Sequence, residues 1–453
     1  MTATVLFSPP RPPIPAAPLP FFRFLRAIRT NALTMWTEAA YQEDVLVRNF
    51  LGRSNMLLNA PDAIHRVLVD NPGNYRRSPA SIRILRPITG KGLLLSEGDD
   101  WRHQRRTIAP ALAPRTLPML ARHIVSCTQE ALATLATQQG ETVDLLAAMQ
   151  NLALDIAGRS MFSLEMRQYG ARMRQMLTHY GISYSRPHLF DMLLPPSIPT
   201  LRDIGRWRFQ RAWMGLMEEI MQARQATPPS PTPRDLFDLL LAARDPETGE
   251  GFTQTQLRDQ VATMILAGHE TTAVALFWSL VLLCGAPGEQ QRVADEVLPI
   301  AITPEAAMDV VPHLVRTRAV ISETLRLYPP AFTIVREAIG PDRVGDIAIR
   351  RGTVLMIAPW ILGRHRKLWR DPEAFDPSRF MPGAPAIPRF AYLPFGAGPR
   401  VCVGAQFALT EATLVLAAII QKFEVSLDEP PPIPVAVVTT QPDHPPRFRL
   451  RAR

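Results

Sequence analysis

A ten-residue segment, Phe395–Gly404, combines residue types that suit a metal-binding loop. Three glycines and Pro399 impose a tight, turned backbone that most other residues would resist. Cys402 lies just before an apolar helical stretch, Ala405–Phe423, where free N–H groups and the helix dipole favour a thiolate. A thiolate held in a rigid loop can ligate an iron. The alternative is a buried structural cysteine, because free cysteines are often buried.

A second polar cluster interrupts a long apolar stretch. The spacing of apolar residues predicts one helix over Phe252–Cys284, and Ala267–Thr272 at its middle reads Ala-Gly-His-Glu-Thr-Thr. A glycine, an acid and two threonines inside an apolar helix oppose the local preference, and such conflicts tend to mark functional sites. Gly268 opens space for a ligand. Glu270 and Thr271 can supply protons to that ligand.

Two further residue pairs each share a helix face. Glu323 and Arg326 are three residues apart in the helix predicted over Val311–Tyr328. Trp101 and Arg105 are four residues apart, and an indole N–H beside a guanidinium makes a good carboxylate clamp. Each pair also has a simpler interpretation, the first as a surface ion pair and the second as a solvated basic helix start.

Composition and charge narrow the class of protein. The 453 residues are 47% hydrophobic and 20% charged, which is typical of a globular chain with ample core. The net charge of +9 permits an acidic partner, but no dense basic run with interleaved aromatic residues appears, so nucleic acid is not expected as a partner. The three cysteines are widely spaced, which excludes a disulfide framework and favours a reducing cytosol.

Short motif matches to other enzyme classes fail at one position each. Gly396 and Gly398 begin a dinucleotide-binding motif, but Val401 stands where its third glycine belongs. His269 and Glu270 begin the zinc protease motif H-E-x-x-H, but Ala273 occupies the place of the second histidine. The sequence therefore predicts neither a dinucleotide fingerprint nor a zinc site at these residues.

The remaining pattern predicts elements that must position these groups. We expect a proline-rich, extended leader over residues 1–20, a helix over Phe21–Tyr41 and a long functional loop over Asn71–Gly98. The most apolar stretch, Ala273–Cys284, is shorter than the roughly 20 residues that span a bilayer. Other expected elements are two helices within Thr116–Phe162, a strand over Thr333–Glu337, and a hairpin of Asp346–Ile349 with Val354–Ala358 around the turn 350–352.

These stretches together resemble the cytochrome P450 family of haem-thiolate monooxygenases, from about Phe21 onward. Phe395–Gly404 matches F-x-x-G-x-R-x-C-x-G at every fixed position, and Ala267–Thr272 matches A-G-x-[DE]-T-T. Glu323–Arg326 matches E-x-x-R, and Trp101–Arg105 matches W-x-x-x-R. The resemblance implies a mainly α fold with a small β region, as a single large triangular haem domain over residues 21–453. It replaces the two-domain expectation that the chain length alone would give.

The resemblance also assigns roles. Cys402 is expected to be the axial ligand of the iron of haem b, and Glu270 and Thr271 to deliver protons to bound dioxygen. The other residues expected at the haem are Trp101, Arg105, Arg336 and Arg400 at the propionates, Phe395 and Gly396 beside the sulfur, and Ala267 and Gly268 on the oxygen side. Glu323, Arg326 and Arg379 are expected to form a structural network.

The pocket predicted from the resemblance is apolar, which fits a lipophilic organic substrate that is hydroxylated or epoxidised. Each of its residues is equally compatible with plain core. The expected pocket residues are Ile84, Leu85, Leu94, Phe190, Leu193, Met264, Ile265, Phe332 and Ile334.

We find no pattern of a flavin or nicotinamide domain in the sequence, so we expect electrons to come from a separate protein. The resemblance implies a small acidic ferredoxin or flavodoxin with its NAD(P)H reductase, docking on a basic face. A generic basic surface on a chain of charge +9 is the competing interpretation. We expect a cytoplasmic monomer without a membrane anchor. The predicted face consists of Arg102, Arg106, Arg364, Arg366, Lys367 and Arg370.

Two rival functions remain from the sequence. A non-catalytic haem-thiolate sensor would keep Cys402 but would not need Glu270 and Thr271. A hydrolase with a cysteine nucleophile would need a histidine near Cys402, and none is close in sequence.

Overall fold

The structure is a computed structural model that describes residues 6–50, 52–138, 140–163, 167–226, 228 and 230–453. Residues 1–5 of the predicted leader lie outside the described residues, as do residues 166, 227 and 229 beside the predicted helix and linker boundaries. The prediction of a mainly α fold with a small β region is confirmed. The α-helices of the described residues are α1 (Phe21–Thr30), α2 (Pro61–His65), α3 (Pro79–Thr89), α4 (Gly98–Ile108), α5 (Leu117–Ala136), α6 (Leu145–Phe162), α7 (Arg167–Ser183), α8 (Leu189–Leu193), α9 (Leu201–Gln225), α10 (Leu236–Ala242), α11 (Gln254–Gly285), α12 (Pro287–Val297), α13 (Ala307–Val310), α14 (Val315–Leu327), α15 (Pro359–Leu362) and α16 (Ala405–Lys422).

The strands form small sheets at the edges of the helical body. A five-stranded sheet has the order β1-β2-β8-β5-β3, a three-stranded sheet has the order β4-β12-β9, and β6 pairs with β7 and β10 with β11. The strand bounds are β1 (Val45–Phe50), β2 (Arg53–Leu58), β3 (Tyr75–Arg77), β4 (Thr142–Val143), β5 (Ile334–Ala338), β6 (Asp342–Val344), β7 (Ile347–Ile349), β8 (Val354–Ile357), β9 (Phe423–Leu427), β10 (Pro434–Ala436), β11 (Thr440–Pro442) and β12 (Phe448–Ala452).

Helix α11 runs through the centre of the core and agrees with the predicted helix to within two residues. It begins with a capping box, in which the Thr253 hydroxyl accepts from the Gln256 N–H and the Gln256 side chain accepts from the Thr253 N–H. Every residue from Thr272 to Leu283 is buried. A helix that is apolar on all sides belongs inside a core, and α11 packs against α6, α9, α14 and α16.

The same helix is long and apolar enough to cross a membrane by length and composition. The apolar stretch Ala273–Cys284 therefore understates the length of this apolar helix. However, 72% of its most apolar window is buried inside the protein. We interpret α11 as a core helix, because its side chains already contact protein where a membrane span would contact lipid.

The prediction of a long loop over Asn71–Gly98 is wrong for its middle. Residues of this segment form β3 and the helix α3, which ends at Gly90. The Ser78 hydroxyl caps α3 by accepting from the Ser81 N–H at 3.3 Å, and Pro79 occupies the first helical position, where its missing N–H costs nothing. Pro79 therefore starts this helix, although prolines in the segment suggested a loop.

The predicted hairpin around residues 350–352 is also wrong. Strand β7 pairs with β6, whereas β8 lies between the parallel strand β2 and the antiparallel strand β5. The apolar sequence of β8 suits a strand that is bonded on both edges, and a local turn signal does not encode that distant pairing.

Two predicted helices are shorter than expected. The 21–41 segment is α-helical only to Thr30 and continues as separate 3-10 turns. The helix predicted from Val311 begins at Val315, because Pro312 lies in a 3-10 turn and lacks the N–H that a helix interior requires.

The described part of the leader packs on the helical body. The Phe375 N–H donates to the Phe7 carbonyl at 2.8 Å, and the Tyr328 hydroxyl donates to the Pro10 carbonyl at 2.7 Å. The Phe7 ring lies against Gly285 at the end of α11, where an added Cβ would come within 2.3 Å of the ring. A larger residue at the end of α11 would displace the Phe7 ring from this contact.

Candidate functional site

The cysteine loop is shaped by glycines with a left-handed backbone. Gly396 and Gly398 each have φ of 71°, and a Cβ at Gly398 would lie 1.9 Å from the Leu68 carbonyl oxygen. The Cys402 N–H donates to the Phe395 carbonyl at 2.9 Å, which closes the loop before α16 begins. The Cys402 side chain is exposed on the wall of a large internal cavity. The loop thus presents one sulfur to that cavity.

Burial opposes the effect that the helix start is expected to have on the Cys402 thiol. Burial raises the pKa of the Cys402 thiol, while the Gly404 N–H and the nearby Arg105 cation oppose that rise. Burial outweighs the donors because the surrounding wall is largely apolar. A coordinated metal ion deprotonates a thiol outright, so the thiolate would form together with its metal.

The cavity has a volume of about 1590 Å³ and extends from the cysteine loop to α3, α7 and α11. Phe395 and Gly396 line it beside the sulfur, and Ala267 and Gly268 line it from α11. The predicted pocket residues that line it are Ile84, Leu85, Leu94, Leu193, Met264, Ile265, Phe332 and Ile334.

The prediction for Phe190 is wrong. Its side chain is 61% exposed on α8 and lies outside the residues that line the cavity. Helix α8 turns Met192 and Leu193 to the cavity instead. The sequence supplied no periodicity long enough to orient a five-residue helix.

Glu270 and Thr271 line the cavity from the middle of α11. The Thr271 hydroxyl donates to the Ala267 carbonyl at 2.5 Å, within the helix. One carboxylate oxygen of Glu270 accepts from the Thr439 hydroxyl at 3.2 Å and from the Gln441 amide. Burial raises the pKa of Glu270 although both of these donors favour its charged form. A carboxyl with a raised pKa is a better proton donor near neutral pH.

Thr439 and Gln441 are contacts that the sequence analysis missed, since the β10–β11 region is far from α11 in sequence. Two other buried groups beside the site were also missed. Thr272 and Glu411 line the cavity, the Thr272 hydroxyl lies near the Glu411 carboxyl, and Oε1 of Glu411 has no hydrogen-bond partner among the described residues. Burial raises the pKa of Glu411 well above its usual value. The only sequence signal for Thr272 and Glu411 is that their side chains are an alcohol and an acid.

His269 is buried in α11, and burial lowers its pKa to about 4, so it is neutral near physiological pH. Among the described residues, no group of three or more histidine, cysteine, aspartate or glutamate side chains could hold a metal ion.

A cluster of arginines lies on the cavity wall near the cysteine loop. Arg336 is only 9% exposed, and it faces Arg77 in the register of β3 and β5. Burial, and then the neighbouring arginines, lower the pKa of Arg77 to about 9 and that of Arg336 to about 10. Arg400 stacks 4.5 Å from the centre of the Trp101 ring, and Arg105 donates to the Val401 carbonyl at 2.8 Å.

The cluster carries more positive than negative charge. Glu97 pairs with Arg400 and accepts from the Arg77 N–H at 3.1 Å, but the Arg77 Nε has no partner among the described residues. Buried cations without counterions are costly, so the site calls for additional anions. The two propionates of a haem would supply two negative charges, and the Cys402 sulfur would supply a ligand to its iron. The residues present therefore fit a haem with thiolate ligation.

Arg77 was missed because its role depends on pairing with a strand more than 250 residues away. We expect Arg77→Met to lose haem about 10 to 100 times faster than the wild type, since a charge-assisted hydrogen bond contributes about 1.5–3 kcal/mol. Haem transfer to apomyoglobin measures the rate. Arg343→Met is the control, because Arg343 also lies on a strand, β6, but is 67% exposed and pairs with the exposed Asp346. Equal rates in the two variants would remove Arg77 from the site.

The predicted structural network of Glu323, Arg326 and Arg379 comes together away from the cavity. The Glu323 carboxylate accepts from Nε and Nη2 of Arg326, each at 2.6 Å, and both side chains are fully buried. The Arg379 Nε lies 3.5 Å from the same carboxylate. The alternative of an exposed surface pair does not apply to these two buried groups.

Known proteins resemble this chain over most of its length. The sequence model of the family described as Cytochrome P450 matches residues 12–446. The chain is 32% identical over 387 residues to the cyclooctat-9-en-7-ol 5-monooxygenase of Streptomyces melanosporofaciens, covering 83% of this chain and 82% of that protein. It is 31% identical to the pentalenene oxygenase of Streptomyces avermitilis, covering 90% and 89%. It is 30% identical to a cytokinin hydroxylase of Arabidopsis thaliana, covering 86% and 77%.

A solved structure shares the fold. The crystal structure of the cytochrome P450DA heme domain superposes with a TM-score of 0.81 and covers 99% of each chain at 24% identity.

Proposed function

Because the chain belongs to the cytochrome P450 family, and is therefore a haem-dependent monooxygenase, we propose that it inserts one atom of O2 into a lipophilic small organic molecule with electrons from separate redox proteins. The observation that carries this proposal is the juxtaposition of one cysteine sulfur exposed to the cavity, a cluster of buried and half-buried arginines and a largely apolar cavity. Haem bound in this site supplies the oxygen-activating chemistry.

The roles of the surrounding residues are proposed on their positions. Cys402 ligates the iron, and its loop fixes the sulfur through the Phe395 carbonyl. Arg77 joins the four predicted propionate ligands. Gly268 lacks a side chain where α11 borders the cavity, which leaves room for dioxygen. Residues 21–453 form one haem domain in this proposal.

Thr271 and Glu270 are proposed to hold and pass protons. The Thr271 hydroxyl faces the cavity and can exchange its intrahelical acceptor for a bound oxygen. Burial raises the pKa of Glu270, which favours its protonated form, and Thr439 and Gln441 fix its orientation.

We expect Thr271→Ala to divert reducing equivalents to peroxide while it binds substrate nearly as tightly as the wild type. General acid catalysis contributes 10²–10⁴-fold, and water replaces part of this, so product per NADH should fall about tenfold or more. Thr271→Ser keeps the hydroxyl and should retain the wild-type yield. A full product yield in Thr271→Ala would contradict the proton-delivery role.

The experiment that tests the function uses purified holoprotein with a surrogate ferredoxin, its reductase and NADH. A compound library is first screened for spectral displacement of the distal ligand, and binders are then tested for NADH consumption and gain of one oxygen atom. A non-catalytic haem-thiolate sensor would bind compounds without substrate-dependent turnover.

The substrate is proposed to be lipophilic and rigid enough to fill an apolar cavity. Two relatives are named for oxygenating cyclooctat-9-en-7-ol and pentalenene, and a third for hydroxylating cytokinin. The apolar lining here favours molecules of the first kind, in which hydrocarbon makes up most of the surface. Screening terpene alcohols and hydrocarbons first is therefore justified.

The basic face predicted for the electron donor is weaker than the sequence suggests. Arg364 is buried, 3.7 Å from the centre of the Trp360 ring, so its inclusion was wrong. Arg106 pairs with the buried Asp245, and the four exposed members each pair with an acid. These pairs are Arg102 with Asp99, Arg366 with Glu38, Lys367 with Asp44 and Arg370 with Asp371.

We still propose an acidic ferredoxin or flavodoxin as donor, since docking on this face requires exposed cations and these four remain exposed. We expect Arg102→Glu to slow reduction by an acidic ferredoxin about two- to fivefold at low salt, and the difference to vanish as salt screens the charges. Stopped-flow reduction measures this rate. Arg343→Glu, an exposed reversal on β6, is the control. Salt-independent reduction, with equal rates in both variants, would exclude electrostatic docking here.

A cytoplasmic monomer remains part of the proposal, although some relatives carry names that place them in chloroplasts.

A further inference from the structure

The carboxyl group of Glu270 is held by a part of the chain other than its own helix. Its Oε1 accepts from the Thr439 hydroxyl at 3.2 Å and from the Gln441 amide, and the same amide group donates to the Thr439 hydroxyl at 3.1 Å. These three side chains therefore form a closed ring of hydrogen bonds between α11 and the β10–β11 hairpin. All three residues line the cavity, so the ring lies at the cavity wall.

The hairpin is anchored on both sides of this ring. The Asn31 side chain binds the backbone of β10 through two hydrogen bonds of 3.0 and 3.1 Å. At the start of β11, the Thr440 hydroxyl donates to the Pro329 carbonyl, and the Trp278 indole N–H donates to the Thr440 carbonyl, each at 2.7 Å. Trp278 lies on α11, as Glu270 does. The hairpin is therefore fixed to the same helix that carries the acid.

The turn between the two strands contacts the cavity. Val437, Val438 and Thr439 connect β10 to β11, and all three line the cavity. A molecule that packs on the two valines therefore touches the same short segment that holds Glu270. The position of the acid is set at the wall that a bound molecule would meet.

The ring gives the two carboxyl oxygens of Glu270 different roles. Two donors already occupy Oε1, whereas Oε2 accepts no hydrogen bond among the described residues. A protonated carboxyl has one O–H group and one carbonyl oxygen, and the carbonyl oxygen is the one suited to accept two donors. Burial favours the protonated form of Glu270. The proton of the neutral carboxyl therefore lies on Oε2.

We propose that Thr439 and Gln441 are positioning residues for proton transfer, which bind Oε1 and so hold the proton of Glu270 on Oε2, the oxygen left free at the cavity wall. This rests on the proposed function, in which Glu270 passes a proton to a group bound in the cavity. Without the two donors, the carboxyl can turn about its terminal bond, because that torsion has broad, roughly two-fold preferences. Fewer molecules then present the proton to the cavity, although the acid is still there.

The first test reads the carboxyl directly, by infrared difference spectroscopy of the holoprotein. Subtracting the spectrum of Glu270→Gln identifies the carbonyl band of the protonated acid. A carbonyl oxygen that loses a donor absorbs at higher frequency, so we expect this shift in Gln441→Met and in Thr439→Val. Thr439→Ser keeps the hydroxyl and should keep the wild-type band. Gln291→Met is the control, because Gln291 also donates to a carboxylate, that of Asp295 at 2.8 Å, but on the exposed surface of α12.

The second test measures turnover with a surrogate ferredoxin, its reductase and NADH, with the terpene alcohol farnesol as the probe. One hydrogen bond changes an equilibrium by about two- to tenfold, so product per NADH should fall by about this factor in Gln441→Met, with a matching rise in peroxide. The Kd of farnesol, measured from its spectral shift, should stay near the wild-type value, which separates a misplaced proton from a damaged pocket. Thr439→Ser should restore the yield that Thr439→Val loses.

An unshifted carbonyl band in both Gln441→Met and Thr439→Val would overturn the proposal. So would a shifted band combined with the same product per NADH as Gln291→Met, because the held proton would then not be used. The infrared result needs no turnover. Absence of product from the wild type would therefore count against the proposed function, while the band shift would still decide which oxygen holds the proton.

Discussion

Replacing Cys402 by histidine is expected to abolish monooxygenation and to remove the red-shifted Soret band of the ferrous carbon monoxide complex. The reason is electronic, because a thiolate pushes electron density to the iron and a neutral imidazole does not. The arginine cluster does not depend on Cys402, so we expect the variant to retain haem. The measurements are the difference spectrum and product formation, both normalised to haem content.

The chain offers two matched controls for this experiment. Cys127 and Cys284 do not line the cavity, and burial raises the pKa of Cys284 to about 12, which keeps its thiol protonated and inert. Cys127→Ser and Cys284→Ser should therefore leave the carbonyl spectrum unchanged. A red-shifted band that persists in Cys402→His would mean that another residue is the ligand.

The parts of the site that could be predicted from the sequence are those formed by residues that are close together in the chain. The cysteine loop needs glycines at fixed offsets because Gly398 passes so close to the Leu68 carbonyl, and this need appears as a fixed spacing in the sequence. Glu270 and Thr271 were found because polar residues inside an apolar helix conflict with their surroundings. Both signals are local.

The parts that could not be predicted depend on distant pairing. Arg77 meets Arg336 only through the register of β3 with β5, and Gln441 reaches Glu270 only because the C-terminal strands fold back to α11. No spacing within either segment encodes these contacts. The same limit explains the wrong hairpin, since β8 is bonded to β2 and β5 instead of its nearest neighbour in sequence.

Surface charge was overestimated for a related reason. A sequence shows how many cations a segment carries but does not show which acids the fold places beside them. In the sequence Arg364 counts as one basic residue. In the structure it is buried beside Trp360 and lies 3.3 Å from Glu373.

The largest stability effect is expected at Glu323. Its carboxylate is fully buried and receives two hydrogen bonds from Arg326 and one from the Asp376 N–H at 2.8 Å. Arg326 in turn donates to the carbonyls of Pro372 and Ala374 at 2.7 and 2.8 Å, which holds the segment that leads toward the cysteine loop. The pair therefore links the stability of α14 to the position of the haem ligand.

Glu323→Ala would leave the Arg326 cation buried without its counterion, which costs about 3–5 kcal/mol of unfolding free energy. We expect poorly folded protein with little haem, measured by urea unfolding and by haem content after purification. Glu323→Gln keeps the shape and the bond to Asp376 but loses the charge, so it should fall between Glu323→Ala and the wild type. Asp99→Ala is the matched control, because Asp99 pairs with Arg102 at the same spacing of three residues but is 96% exposed, and it should cost at most about 1 kcal/mol. A Glu323→Ala variant as stable as Asp99→Ala, with full haem, would show that this buried pair contributes no more than a surface ion pair.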